Sequence, residues 1–159
     1  MSLPSDLESF AMVALAGLLG GVIGFEREIA DKPAGLRTHI FVAAGAALLV
    51  LLAEGAVDFF RRSGSDTEIA ADPIRIIQAI VIGISFLGTG TIIHRGGDEV
   101  EGLTTAASIF LTAAIGIAVA LDRIWLAVGT TLLALLVLTM VNWIEWKLLD
   151  KSPPGNSSD

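Results

Sequence analysis

The sequence predicts an all-α fold, a polytopic membrane bundle of five transmembrane helices, and two observations support this fold class. Hydrophobic residues make up 53% of the 159 residues, charged residues only 17%, and the mean hydropathy is +0.75. Soluble domains are less apolar than this, so the composition indicates a membrane protein. The chain also contains five apolar segments that approach the length of about 20 residues that a membrane-spanning helix needs.

The five predicted spans follow one another with mostly short connections between them. They cover residues 7–25, 36–57, 74–93, 103–121 and 124–141. Helices joined by short connections pack as antiparallel neighbours, so we expect residues 1–146 to form one transmembrane domain. Residues 147–159 are mostly polar and include two prolines, which predicts a disordered cytoplasmic tail.

Lysines and arginines at the ends of the spans predict the orientation of the bundle. With the N-terminus outside, the cytoplasmic faces hold six of the ten basic residues and the outer faces hold four. Cytoplasmic connections of membrane proteins are enriched in these residues. The count therefore favours an N-terminus outside the cell and a C-terminus in the cytoplasm.

Composition also argues against several classes of function. The net charge of −7 leaves no basic stripe that would neutralise phosphates, so no nucleic-acid partner is expected. The chain has no cysteine and only two histidines, which excludes disulfides and thiolate metal sites. Ser85 and His94 lie in the third segment without an orienting aspartate or a nucleophile-elbow motif, so we do not expect an enzyme.

Glycines are concentrated in the first and third segments. Small residues spaced four apart let membrane helices approach closely, which predicts a helix-packing role. The residues concerned are Gly17, Gly20, Gly21, Gly24, Gly83, Gly88 and Gly90. The alternative is that glycine and threonine backbone groups line a polar path or break a helix near a ligand, as in transporters.

Charged residues cluster where the first helix ends and the second begins. Glu26 and Arg27 close the first helix, and Arg37 and Thr38 open the second. Charges at the membrane edge usually pair and mark functional sites, so we predict a polar network in which Glu26 and Arg27 face Arg37. Interfacial anchoring and helix capping are the alternative for each charge, and His39 is interpreted as an interfacial residue beside Arg37.

Four further residues are assigned to the same network. Asp72 and Arg75 open the third helix, and Thr104 and Thr105 open the fourth. The helix count places Asp72 at the opposite side of the membrane from Glu26. Either the pairing of these residues or the count of helices must therefore be wrong.

Acidic residues raise the question of a magnesium site. Mg²⁺ takes oxygen ligands, usually one or two carboxylates with several retained waters. The metal candidates are Glu26, Glu28 and Asp72. The alternative is that the acidic side chains are simply solvated.

The second and fourth helices share a weak internal similarity. A shift of 67 residues aligns residues 35–50 with 102–117, and both stretches open with Gly-Leu followed by a threonine. This similarity predicts a repeat of two helices, with both Gly-Leu openings on the same side of the membrane.

Four stretches in order, IGFERE, AGLRTH, DPIRIIQAIVIGISFLGTGTII and EGLTTAASIF, resemble the MgtC/SapB family of bacterial inner-membrane proteins. The likeness covers roughly residues 12–121. It implies a five-helix membrane domain, and some members carry a further cytoplasmic domain that we do not expect here. The family's motif positions correspond to Gly24, Glu26, Arg27, Gly35, Leu36, Arg37, Thr38, Asp72, Pro73, Arg75, Gly83, Gly88, Gly90, Gly102, Leu103, Thr104, Thr105 and Ala106.

The resemblance also implies a role in Mg²⁺ or related ion homeostasis, through transport or its regulation. The alternative is a regulator that moves no ion and modulates a partner membrane complex. Because five helices make a thin shell for a pore, an ion route would need a homodimer or another homo-oligomer. The expected partners are therefore the lipid bilayer, further copies of this chain and, for a regulator, a membrane complex, and Mg²⁺ is the one candidate cofactor.

Overall fold

The computed structural model describes residues 6–62, 73–95 and 99–149. These residues form five helices and a short hairpin: α1 (Asp6–Ile29), α2 (Leu36–Arg62), α3 (Pro73–Gly90), β1 (Ile93–Arg95), β2 (Glu99–Glu101), α4 (Leu103–Ala120) and α5 (Ile124–Leu149). The predicted helical bundle of five helices is confirmed. Residues 150–159 of the predicted tail lie outside the described residues, whereas residues 147–149 belong to α5.

The hairpin between α3 and α4 was not predicted. Its strands pair antiparallel, with Ile93 opposite Glu101, and α3 consequently ends at Gly90 instead of continuing to residue 93. Gly102 connects the hairpin to α4 with a φ of 90°, and a Cβ atom there would collide with the carbonyl of Thr91. Only glycine adopts this backbone conformation without strain, so Gly102 fixes the start of α4.

Helices α1 and α4 end in the same way. After α1, the N–H of Lys32 donates to the carbonyl of Arg27 at 3.0 Å and the N–H of Asp31 donates to Glu28 at 3.1 Å. This is a Schellman motif, and Asp31 has the left-handed φ of 54° that it requires. Asp122 repeats the motif after α4 with a φ of 57°. Both motifs turn the chain sharply, so the next helix runs back alongside.

Helix α4 lies at the centre of the bundle. It packs against all four of the other helices, and α1 packs along α2. The side chains of Ile23, Ile109, Ile115 and Val119 are at most 1% exposed and form the middle of the core. The contact of Gly116 with the backbone of Ala43 brings α4 directly against α2.

Large apolar side chains cover the outside of the bundle. Phe86 is 82% exposed and Trp125 is 90% exposed, and α1, α2 and α4 expose similar residues. Three helices, Asp6–Ile29, Leu36–Phe60 and Leu103–Ala120, are long and apolar enough to cross a membrane, and Ile74–Gly90 and Ile124–Met140 are shorter apolar helices. Such a surface suits a lipid solvent, where apolar side chains face outward.

Candidate functional site

Four helix ends meet at one end of the bundle, which we call the α1–α2 end. It comprises the last turn of α1, the connecting turn, the first turns of α2 and α4, and the last turn of α3. The contact of Gly88 with Ala106, 3.5 Å from an added Cβ, places the end of α3 beside the start of α4. The contact between His39 on α2 and Ser108 on α4 places the starts of these two helices at the same end of the bundle, as the two Gly-Leu openings predict.

Arg27 and Glu26 form a buried ion pair at this end. Nε of Arg27 donates to Oε2 of Glu26 at 2.6 Å, and a terminal guanidinium nitrogen donates to Oε1 at 2.8 Å. The Arg27 side chain is only 2% exposed and that of Glu26 is 14% exposed. Two parallel charge-assisted hydrogen bonds hold both groups in one fixed geometry.

His39 joins α2 to α4 and is completely buried. Its Nδ1 lies 3.0 Å from the carbonyl oxygen of Gly35, and its Nε2 lies 3.2 Å from Oγ of Ser108. Arg27 and Glu26 are both close enough to act electrostatically on the ring. The interpretation of His39 as an interfacial residue beside Arg37 is therefore wrong, because its face of α2 is covered by α1 and α4.

The His39 ring and the Ser108 hydroxyl share few hydrogens for the hydrogen bonds that they make. The Gly35 carbonyl only accepts, so Nδ1 carries a hydrogen. The Ser108 hydroxyl has one hydrogen, and it also lies 2.8 Å from the carbonyl of Thr105. A doubly protonated ring would satisfy both Ser108 contacts together, whereas with a neutral ring the hydroxyl must choose between Nε2 and the Thr105 carbonyl.

Buried hydroxyl groups continue the polar cluster along α4. Thr105 is 2% exposed, and Thr112 is fully buried and donates to the carbonyl of Ser108 at 2.8 Å. We call Glu26, Arg27, His39, Thr105 and Ser108 the buried cluster. Among the described residues, no buried side-chain nitrogen or oxygen lacks a hydrogen-bond partner. A fully satisfied network of this kind holds the helices in one arrangement.

Glu28 has a structural role at the same end. Its Oε2 accepts a hydrogen bond from the backbone N–H of Leu36 at 2.8 Å, eight residues along the chain. The first N–H groups of a helix have no partner within the helix, so Glu28 caps α2 from the preceding helix.

Three predicted site residues lie around the buried cluster, closer to the surface. Arg37 and Thr104 are exposed, and Thr38 is half-buried. The ion pair that the described residues show at this end joins Arg27 to Glu26 and does not include Arg37. The structure thus separates the predicted network into a buried part and an exposed rim.

Arg75 does not belong to this site. It lies in the first turn of α3, and α3 ends at the α1–α2 end, so Arg75 is at the other end of the bundle. The conflict noted from the sequence is resolved in favour of five helices, and the placement of Arg75 in one network with Glu26 and Arg27 is corrected. Asp72, its predicted neighbour in the network, lies outside the described residues.

The predicted packing glycines fall into two groups. Gly17, Gly20, Gly21 and Gly24 lie along the contact with α2, where a Cβ on Gly20 would come within 2.5 Å of the His39 carbonyl oxygen. Gly88 faces Ala106. Gly83 and Gly90 face no other described residue, since a Cβ at either would meet no atom within 4 Å.

The two described metal candidates, Glu26 and Glu28, already have hydrogen-bond partners at this end. Mg²⁺ needs free oxygen ligands, but both Glu26 oxygens accept from Arg27 and Glu28 caps α2. No group of three or more His, Asp or Glu side chains that could hold a metal occurs within the described residues. Asp72, the third metal candidate, is not among them.

His39 and Ser108 are functional candidates that the sequence interpretation missed. His39 shares one face of α2 with Ala43, Ala46 and Val50, which follow at helical spacing and are all buried. A histidine that continues a stripe of small apolar residues indicates a helix contact, and that signal was present in the sequence. Its partner Ser108 carried no comparable signal.

Comparison with known proteins gives the family. The sequence pattern of the MgtC family matches residues 13–147. The chain belongs to the MgtC family. This membership and the apolar helices identify it as a bacterial membrane protein, in agreement with the resemblance seen in the sequence.

Relatives in the MgtC family are similar over most of this chain. "Putative magnesium transporter YhiD" of Escherichia coli strain K12 is 35% identical over 146 residues, covering 91% of this chain and 66% of that protein. Protein SapB of Bacillus subtilis strain 168 is 32% identical, covering 90% and 60%. Protein MgtC of Brucella abortus strain 2308 is 44% identical, covering 67% and 40%. The chain thus spans between 40% and 66% of these relatives' length. No solved structure matches it.

Proposed function

We propose that this chain is a multi-pass protein of the bacterial inner membrane that contributes to Mg²⁺ homeostasis by regulating a partner membrane complex. Its N-terminus would lie outside and its C-terminus in the cytoplasm. Membership of the MgtC family and the name of the E. coli relative support the link to magnesium. The proposed role involves binding to the partner and no enzymatic reaction.

The buried cluster favours regulation over transport, because its polar groups already have partners inside the bundle. Both oxygens of Glu26 are taken by Arg27, and both ring nitrogens of His39 have partners inside the bundle. A Mg²⁺ path would need oxygen ligands that are free to replace the ion's water. A cluster whose groups are already satisfied is better suited to holding a surface in place.

Arg37 and Thr104 form the exposed rim of that surface. A guanidinium at a membrane edge pairs readily with a carboxylate of another protein. In this proposal the buried cluster fixes the helix ends, and the rim contacts an acidic side chain of the partner.

The second candidate function is Mg²⁺ transport by a homo-oligomer, which the name of the E. coli relative favours. A flux assay separates the two. The purified full chain is reconstituted into liposomes that contain a Mg²⁺-sensitive dye, with protein-free liposomes as the lower control and a Mg²⁺ ionophore as the upper control.

Regulation predicts that Mg²⁺ entry into these liposomes equals entry into the protein-free liposomes, with insertion verified by protease digestion. Mg²⁺ entry that rises with the amount of inserted protein would contradict the regulatory role and favour transport.

A further inference from the structure

An apolar groove separates α2 from α3. Its volume is about 810 Å³, and its walls extend from Phe41 to Ala53 on α2 and from Arg75 to Leu87 on α3. The end of α3 packs against α4 through Gly88, and the groove lies along the side of α3 that faces α2. The groove opens to the side of the bundle that faces lipid.

Small residues line both walls of the groove without touching each other. A Cβ added to Gly45 on α2 or to Gly83 on α3 would meet no atom within 4 Å. Glycines in membrane helices ordinarily let two helices pack closely, as Gly20 and Gly24 do between α1 and α2. In this groove, the absence of side chains at the two glycines leaves space for another molecule between α2 and α3.

Arg75 gives the groove a charge at one end. Among the described residues that line the groove it is the single charged one, and its side chain is exposed. Within the described residues, its guanidinium has no ion pair or hydrogen bond. A cation at the mouth of an apolar groove between membrane helices complements an anionic lipid headgroup.

The dimensions favour a lipid over a helix. The lining covers about three turns of each helix, or roughly 18 Å. One leaflet of the hydrocarbon core is about 15 Å thick, so the groove has the length of an acyl chain within one leaflet. An acyl chain is also narrower than a helix, whose diameter with side chains is about 10 Å.

We propose that this groove is a binding site for one anionic phospholipid. The acyl chains lie against Gly45 and Gly83, and the phosphate accepts hydrogen bonds from the guanidinium of Arg75. Arg75 is at the opposite end of the bundle from the buried cluster, and no residue of that cluster lines the groove, so this site is independent of the function proposed above.

Native mass spectrometry of the purified full chain tests this site. The protein is equilibrated in detergent with phosphatidylglycerol or phosphatidylcholine of identical acyl chains. The variants are Arg75→Gln and Gly83→Leu. Their matched controls are Arg123→Gln, an exposed arginine outside the groove, and Gly129→Leu, a glycine with equally open space on α5.

Wild type should retain one phosphatidylglycerol about tenfold more strongly than phosphatidylcholine, the size expected for a charge-assisted contact. Arg75→Gln should remove that preference, and Gly83→Leu should remove binding of both lipids, while both controls behave as wild type. Equal retention of the two lipids by wild type, or an unchanged preference in Arg75→Gln, would overturn the site. Full competition by glycerol phosphate would also overturn the site, since the occupant would then be a free phosphate. A dimer that Gly83→Leu dissociates without changing lipid retention would overturn it too, since the occupant would then be a second copy of the chain.

Discussion

Nε2 of His39 on α2 and Oγ of Ser108 on α4 lie 3.2 Å apart, although the two residues are separated by 69 positions in the chain. This contact joins the starts of two helices that run in the same direction. The Arg27–Glu26 ion pair and the cap that Glu28 places on α2 lie in the same region. The α1–α2 end is therefore held together by polar contacts, while most of the remaining core is apolar.

The His39–Ser108 contact should be measurable as a coupling free energy. A double-mutant cycle uses His39→Ala, Ser108→Ala and the double variant. We expect the loss of unfolding free energy in the double variant to differ from the sum of the two single losses by about 0.6–1.7 kcal/mol, the range for hydrogen bonds between membrane helices. Reversible unfolding in mixed micelles provides the measurement. Ser85→Ala is the control partner, because the Ser85 hydroxyl donates to the carbonyl of Val81 within its own helix. A coupling as small as that between His39 and Ser85 would show that the contact contributes no stability.

Removing Arg27 should be far more damaging than removing Arg37. Arg27→Met leaves the Glu26 carboxylate without its bidentate partner in a mostly buried position, which typically costs about 3–5 kcal/mol. Arg37→Met changes an exposed side chain and should alter the unfolding free energy by about 0.5 kcal/mol or less. Thermal unfolding of the two variants in the same detergent compares them directly. Equal melting temperatures would contradict a structural role for the ion pair.

Two glycine-to-alanine substitutions should have opposite effects. Gly20→Ala places a methyl group 2.5 Å from the His39 carbonyl oxygen and should destabilise the bundle by about 1–3 kcal/mol. Gly83→Ala meets open space and should be neutral or stabilise α3 by up to about 1 kcal/mol through helix propensity. The melting temperatures of the two variants test this prediction. If Gly20→Ala were as stable as Gly83→Ala, the close packing of α1 on α2 would be wrong.

The helices were predictable because each is a long apolar segment bounded by charges or turn residues, as in GFEREIADKPAGLRTH between α1 and α2. The hairpin was not, because strands of three residues are too short to show an alternating pattern. Its one local signal is Gly102, whose left-handed conformation cannot be recognised without knowing that Thr91 lies beside it.

The site was predictable only in part. The charges at the end of α1 identified the correct region, but sequence proximity placed Arg37 in one network with Glu26 and Arg27. The partner of Arg27 depends on the direction in which the Arg27 side chain leaves the helix. That side chain turns toward the neighbouring residue Glu26. His39 was missed because its burial depends on α4, a helix more than sixty residues away along the chain.

The central claim is that the exposed rim of the α1–α2 end acts on a partner in Mg²⁺ homeostasis. Its most direct test is growth in low Mg²⁺ of a bacterial strain that lacks its own MgtC-family protein and carries this chain. Arg37→Gln is compared with Arg123→Gln at equal membrane levels and melting temperatures. Arg123 is an exposed arginine in the turn after α4, at the opposite end of the bundle from Arg37. We predict that Arg37→Gln grows no better than the empty vector while Arg123→Gln grows like the wild type. Wild-type growth of Arg37→Gln would contradict the claim.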